Sequence, residues 1–370
     1  MIKVCHMSSA HPQRDPRIFY KQCSSLAKGG YDTYFVSVGD SFVQNGVKFV
    51  GVTAENNSRL SRMIKTAKAV YKKALELDCD IYELHDPELL PYAKKLAKKG
   101  KKVIFDSHED YTLLMEEKYY IPKVFRTMAG KILSKYQDHI LSRIDCVIFP
   151  TYKNGKDIFE GKCKRSIVIE NFPLLSELYD KYDESISKEL NAICHIGSLS
   201  YERGIEHLIK GCSLADATLI LGGSYSPKEF GDKLKMQDEY ACVDYRGFCN
   251  REEVVKIYSQ SLVGVATLLN VGQYNVFDNF ATKVYEYMSM GLAVIMTDYE
   301  YVRKINDKLN FAILVEPDNP EEISKAIREL LNNPEKARNM GKNGRMLVKQ
   351  EFNWNIEEQK LLKLYEELSQ

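Results

Sequence analysis

Residues 278–297, DNFATKVYEYMSMGLAVIMT, decide how the rest of the chain is understood. They read as a loop, a short helix stopped by Gly291, and a buried strand over 292–296. Lys283 stands near the helix start and Glu286 follows three residues later, so both project from one face. Val284 and Met288, four apart, make an apolar pair that can pack on a sheet. A cation beside a helix N-terminus, at the end of a parallel sheet, suits a phosphate. A carboxylate one turn on suits two sugar hydroxyls. A solvated ion pair on a surface helix explains the same spacing.

Outward from that stretch, short apolar runs alternate with helical ones. Strands are expected over 192–196, 218–222, 243–245, 262–266 and 312–315. Helices are expected over 205–210, 227–239, 251–260, 321–331, 334–351 and 355–368. The front half predicts strands over 2–7, 33–38, 47–50, 80–84, 102–106, 145–149 and 166–170. Its helices begin at Pro16 and run over 60–77, 88–99, 123–141 and 152–159. This alternation is the mark of parallel α/β sheets. A chain of 370 residues suits two such domains. Asn171-Phe172-Pro173 interrupts the pattern, and the charged stretch 179–189 fits a linker or an exposed loop.

Apolar residues make up 44% and charged residues 28%, a soluble globular balance. No run approaches the roughly 18–20 apolar residues of a membrane span. The opening MIKVCHMSSAHPQRD turns polar too soon for a signal peptide. Nine cysteines are scattered with no CxxC, which reads as reduced, cytoplasmic usage. The net charge is +1, but residues 1–170 carry 29 Lys and Arg against 20 Asp and Glu, and residues 171–370 carry 23 against 31. The basic half, with six lysines in 94–102, could meet an anionic surface, peripheral on the inner face of the cell membrane. Lysine-rich solvent faces give the same count. There is no GxGxxG after the first strand and no GxxxxGK[ST], which disfavours an NAD or FAD enzyme and a P-loop. No zinc-finger, RNA-binding or helix-turn-helix signature points to nucleic acid. Asp106, His108 and Glu109 lack a third metal ligand at a known spacing, and no DxD-like pair stands in a suitable loop. No essential metal is therefore expected.

The stretch 278–297 resembles the donor-site signature of the retaining group 1 (family four) glycosyltransferases, whose hallmark is an acidic residue, seven intervening residues and a glutamate. Here these are Asp278, where the family usually has Glu, and Glu286. The continuation through Lys283 and Gly291 is similar to the bacterial surface-polysaccharide branch. The resemblance implies a GT-B fold: two Rossmann-like parallel-sheet domains facing across a cleft. Residues 1–172 would bind the acceptor, 173–190 would link, 191–350 would bind the donor, and 351–370 would form a C-terminal helix crossing back, with Trp354 as anchor or plain core.

The implied reaction is transfer of a hexosyl group, with retention, from a UDP-, GDP- or TDP-sugar to a hydroxyl of a glycan or lipid-linked acceptor. Lys283, Arg203 and Gly197 would meet the diphosphate, although Ser198 stands where many members have arginine. Gly222 and Gly247 would border the nucleotide, Glu286 the ribose, and Asp278 the transferred sugar. His108, just beyond a strand end, takes the family's sugar-facing histidine role; a polar loop cap would explain it equally from spacing. His85 is a second crevice candidate. His11, and Tyr111 in the aromatic stretch 111–122, are candidates for acceptor contact. A degenerate scaffold that only binds, or a nucleotide-sugar epimerase, are the alternatives on this fold.

Overall fold

The computed structural model describes residues 1–53, 61–108, 123–186, 188–271 and 274–370. The chain forms two compact units, Met1–Asn171 with Asn355–Gln370, and Phe172–Trp354. Each is a parallel sheet covered by helices.

The first unit has eight strands: β1 (Lys3–Met7), β2 (Asp32–Val38), β3 (Phe42–Gln44), β4 (Val47–Val52), β5 (Ile81–Leu84), β6 (Lys102–Asp106), β7 (Cys146–Phe149) and β8 (Ser166–Val168). Their spatial order is β3-β4-β2-β1-β5-β6-β7-β8. Strands β1, β5, β6 and β7 are almost wholly buried, which is why they read as continuous apolar runs rather than alternating ones. Among the described residues the one antiparallel strand pair is the β3–β4 hairpin, and the sequence reading lacked β3. Its turn is Asn45-Gly46, both at positive φ (52° and 77°), the backbone that a two-residue hairpin requires. The helix expected over 152–159 does not form. Asn154 and Gly155 also take positive φ there, and Lys153 and Lys156 bridge across the turn. Residues Pro16–Cys23 form a widened helical run started by Asp15, whose carboxylate accepts from the N–H groups of Arg17 and Ile18.

The second unit has six strands: β9 (Glu189–Ile196), β10 (Thr218–Gly222), β11 (Val243–Gly247), β12 (Ser261–Ala266), β13 (Ala293–Thr297) and β14 (Ala312–Val315). Their order is β11-β10-β9-β12-β13-β14. In both sheets the chain builds outward from the first strand and then returns to its other side. The switch points are β1/β5 and β9/β12, where open α/β sheets bind ligands beyond the strand ends.

The stretch 173–186, expected as a linker, packs on the second unit. Leu178 is fully buried. Tyr179 and Tyr182 clamp the Arg345 guanidinium, with ring centroids 3.9 and 4.0 Å away. The helix Trp354–Ser369 starts in the second unit and continues in the first, where Tyr365 is fully buried.

Candidate active site

The helix Thr282–Ser289 ends at Gly291, with φ of 65°, and leads into β13. Val284 and Met288 are fully buried, so one side of the helix is pinned to the core. That fixes Lys283, only 8% exposed, at the carboxyl edge of the sheet. Its Nζ lies 2.5 Å from Nε2 of His195 in β9. A Cβ placed on Gly197 would stand 3.2 Å from that Nζ, so the ammonium rests against the glycine backbone. Burial, and then the charge of Arg203, draw the amine down to about 7; Glu286 pulls the other way.

Arg203 ends a short turn, Tyr201–Arg203, before the helix Ile205–Leu214, and its guanidinium lies over the Tyr274 ring at 4.9 Å. Gly204 lets the turn reach Thr267: an added Cβ would stand 2.0 Å from the Thr267 carbonyl oxygen. The ends of β9, β10 and β11 are laced together, with Gly197 N–H donating to Gly222 O at 2.9 Å and Gly223 N–H to Gly247 O at 2.6 Å. Gly222 is enclosed by Ile196 and Cys249, whereas nothing stands within 4 Å of a Cβ on Gly247. The small residue thus serves packing at Gly222 and leaves open space at Gly247.

Glu286 does not pair with Lys283. Its oxygens accept from Arg251 Nη1 at 2.7 Å and Tyr258 Oη at 3.0 Å, and Arg251 also reaches Glu177 at 3.3 Å. Asp278 is partly buried, and its charge acts on Tyr299 and Lys304.

The first unit gathers a second cluster at its switch point. His11, His85 and His108, chosen separately from sequence, stand together. The His11 and His108 rings are 4.5 Å apart, and those of His85 and His108 5.5 Å. Tyr111 lies outside the described residues. Beneath them is a polar core that the sequence did not suggest. Asp106 accepts a bidentate pair from Arg17 (2.9 and 2.7 Å) and a third bond from Gln22 Nε2 at 2.9 Å. Burial alone would raise the Asp106 carboxyl, but Arg17 and the adjacent His108 and His85 hold it well below its ordinary range. Asp86 likewise resists its burial and sits at about 2, held by His11 and by the Ser9 and Ser8 donors. His11 Nδ1 is 3.0 Å from the Asp86 carboxylate, which raises the imidazole above its usual value despite burial.

Ring nitrogens then form a chain inward. His108 Nε2 is 3.3 Å from His85 Nδ1, and His85 Nε2 is 3.0 Å from His6 Nδ1. The His6 and His85 ring planes differ by 13° with centroids 5.2 Å apart, and the 3.0 Å N···N vector spans most of that separation. This is the in-plane geometry of N–H···N, not face-to-face stacking. Burial lowers both rings, His85 to about 4 and His6 well below its usual range, so both are neutral. A neutral imidazole carries one hydrogen. The two links must therefore point the same way. Donation toward His108 leaves His6 Nε2, which has no hydrogen-bond partner among the described residues, as a lone pair rather than a stranded N–H. Donation inward instead lets the His108 Nε2–H reach the Asp106 carboxylate, 3.2 Å away, as well as His85. Deepest lies Glu83, paired with His6 across β1 and β5. Burial, reinforced by Asp106, raises it to about 8, and the Tyr365 hydroxyl donates to it at 2.5 Å.

His85, Asp106 and His108 offer ligand atoms 3.2–3.3 Å from one another, and His6, Glu83 and His85 form a second trio. Such edges would suit a tetrahedral ion with bonds of about 2.0 Å. The Asp106 Oδ2, however, already accepts from Arg17 and Gln22, and the guanidinium opposes a dication. The second trio is bound up in the head-on His6–His85 bond. Hydrogen bonds fit both trios better than a metal.

Residues 180–347 match the family "Glycosyl transferases group 1". An uncharacterized glycosyltransferase of Methanocaldococcus jannaschii is 22% identical over 286 residues, 74% of this chain and 70% of that protein. Sucrose-phosphate synthase from Thermosynechococcus elongatus superposes with a TM-score of 0.77 at 17% identity, covering 100% of this chain and 99% of the other. Anabaena HepE in complex with UDP-glucose gives 0.69 at 12% identity, covering 99% and 100%. The fold is thus GT-B, with two Rossmann-like parallel-sheet domains. The matched stretch, residues 180–347, lies within the second unit and is similar to the group 1 glycosyltransferases.

Sequence reasoning missed His195, Arg251 and Tyr258 in the second unit and His6, Arg17, Glu83 and Tyr365 in the first. A polar residue inside an otherwise apolar strand was the available signal for His6, Glu83 and His195.

Proposed function

We propose that the protein is a retaining hexosyltransferase using a nucleoside-diphosphate sugar as donor and a glycan or lipid-linked hydroxyl as acceptor, in surface-polysaccharide synthesis. The observation that carries this reading is Lys283, a buried amine at the β9/β12 switch point with no carboxylate hydrogen-bonded to it among the described residues. As the glycosidic bond breaks, negative charge grows on the leaving diphosphate. Lys283 and Arg203 stabilise that charge, which lowers the barrier because the interaction strengthens in the transition state. The open space at Gly247 borders the nucleotide, Glu286 takes ribose hydroxyls, and Asp278 takes the transferred sugar. The UDP-glucose bound by HepE supports a donor of this class.

In the first unit, His108 faces an oxygen of the sugar or phosphate. His11 and His85 serve the acceptor. The diphosphate itself takes the acceptor proton, and no essential divalent cation is required. No helix among the described residues is long and apolar enough to cross a membrane. Exposed Met63 and Ile64, at the start of a lysine-bearing helical run, support contact with an anionic membrane surface. Salt-insensitive binding, or indifference to anionic vesicles, would remove that part of the reading.

Thermal stabilisation across UDP, GDP, ADP, TDP, CMP and their sugar conjugates tests the donor site. Selective stabilisation by one diphosphate, lost in Lys283→Ala, is expected. Flat curves for all of them would point to a scaffold that has lost catalysis.

A further inference from the structure

His195 is a fully buried histidine at the end of β9, with no part in the reaction described above. Its Nδ1 is 2.9 Å from the Val265 carbonyl of β12. A carbonyl only accepts, so Nδ1 carries the ring hydrogen. Burial keeps the ring neutral although the Val265 and Ser198 backbone groups favour its charged form, so Nε2, the atom facing Lys283 Nζ, is a lone pair.

We propose that His195 is a positioning residue for Lys283: its lone pair anchors the ammonium between β9 and β12 and turns the remaining N–H groups toward the donor diphosphate. This rests on the donor-site reading above. The groups acting on Lys283 come from three elements. Cys194 and His195 belong to β9, Arg203 precedes the helix Ile205–Leu214, and Glu286 lies on the helix of Lys283 itself. Arg203 repels the ammonium. Glu286 attracts it from a distance while bonded to Arg251 and Tyr258. Among the described residues His195 alone hydrogen-bonds Nζ. The acceptor is dependable because burial, and then the charge of Lys283, keep the imidazole neutral far below its usual range. Gly197, at φ 137°, takes a backbone that favours glycine, and the Lys283 Nζ and Cε lie against it.

Burial, and then Arg203, draw the Lys283 amine down to about 7. A bound diphosphate favours its charged form, so donor binding takes up a proton above that pH, and affinity falls as pH rises.

His195→Gln and His195→Leu separate positioning from packing. A glutamine amide can donate to Val265 and accept from Lys283 at once; leucine can do neither. Calorimetry with UDP from pH 6 to 9, on the intact chain, is the measurement. We expect leucine to weaken UDP by about 10-fold or more and to move the decline in affinity to lower pH. Glutamine should stay within about threefold of the parent. Equal losses in both variants with an unmoved pH midpoint, or full affinity in the leucine variant, would overturn the proposal. If the parent binds neither UDP nor GDP, ADP or TDP, the donor-site reading fails instead. The pairing is then decided without ligand by ¹⁵N NMR of His195. An unprotonated Nε2 whose shift moves in Lys283→Met supports it; a protonated or unmoved Nε2 refutes it. The same spectrum decides the matter if His195→Leu does not fold.

Discussion

The two units solve the same topological problem with opposite charge balance. Each sheet grows outward from its first strand, turns back, and opens a crevice at the switch point. In the first unit that crevice has a floor of paired groups: Arg17 on Asp106, His11 on Asp86, and three histidines joined nitrogen to nitrogen. Its charges are largely answered from within. In the second unit Lys283 and Arg203 approach the strand ends, and the group bonded to Lys283 is a neutral imidazole. That positive charge lacks a bonded anion among the described residues. The comparison teaches that topology supplies the place for a ligand, and uncancelled charge decides what kind of ligand the place invites.

Breaking the internal pairing of the first unit should have the largest effect. Arg17→Met strands the buried Asp106 charge and is expected to cost about 3–5 kcal/mol of stability by urea unfolding. A loss below 1 kcal/mol would mean that the first unit is not balanced in this way. In the second unit, Lys283→Ala should leave stability near that of the parent and lower the transfer rate by roughly 10²–10³-fold. A fall in stability with unchanged turnover would reverse the contrast.

Glu83 sharpens it through pH. The folded chain keeps this proton up to about 8, whereas the unfolded chain releases it near the ordinary glutamate value. Between those two values the folded state binds more protons, so Glu83 makes stability decline as pH rises through the window. Glu83→Gln should flatten the change between pH 5 and 8 by at least about 1 kcal/mol, read from urea midpoints at both ends. Tyr365→Phe, which removes one buried donor to the same carboxyl, should be the mildest, at about 1 kcal/mol. It should also raise Glu83 further, since the lost hydrogen bond favours the charged form.

Much of this was legible in the sequence where local chemistry is strong. The helix and strand within 278–297 follow from one apolar face and a glycine stop. His11, His85 and His108 were each found because they follow apolar strands. Their convergence was not legible, because it depends on the order β1-β5-β6 in space. The Glu83–Tyr365 bond joins residues 282 apart, and no local pattern anticipates it. His195 was hidden by its apolar neighbours Cys194 and Ile196. Two errors share one cause: Asn45-Gly46 and Asn154-Gly155 are both positive-φ turns, and each was passed over in favour of hydrophobic periodicity.

The route of the chain around Trp354 has a practical consequence. On one side, the Trp354 N–H donates to Pro173 O at 2.9 Å, and the Phe172 and Phe352 rings lie 5.4 Å apart. On the other, the Glu170 N–H donates to Glu357 at 2.9 Å. The outgoing and returning segments are therefore stitched to each other on both sides of the point where they change unit. Residues 172–354 form a cassette whose two ends meet at a single seam. Such a cassette can be exchanged between relatives by two cuts at neighbouring points, while every strand of the first unit stays unbroken.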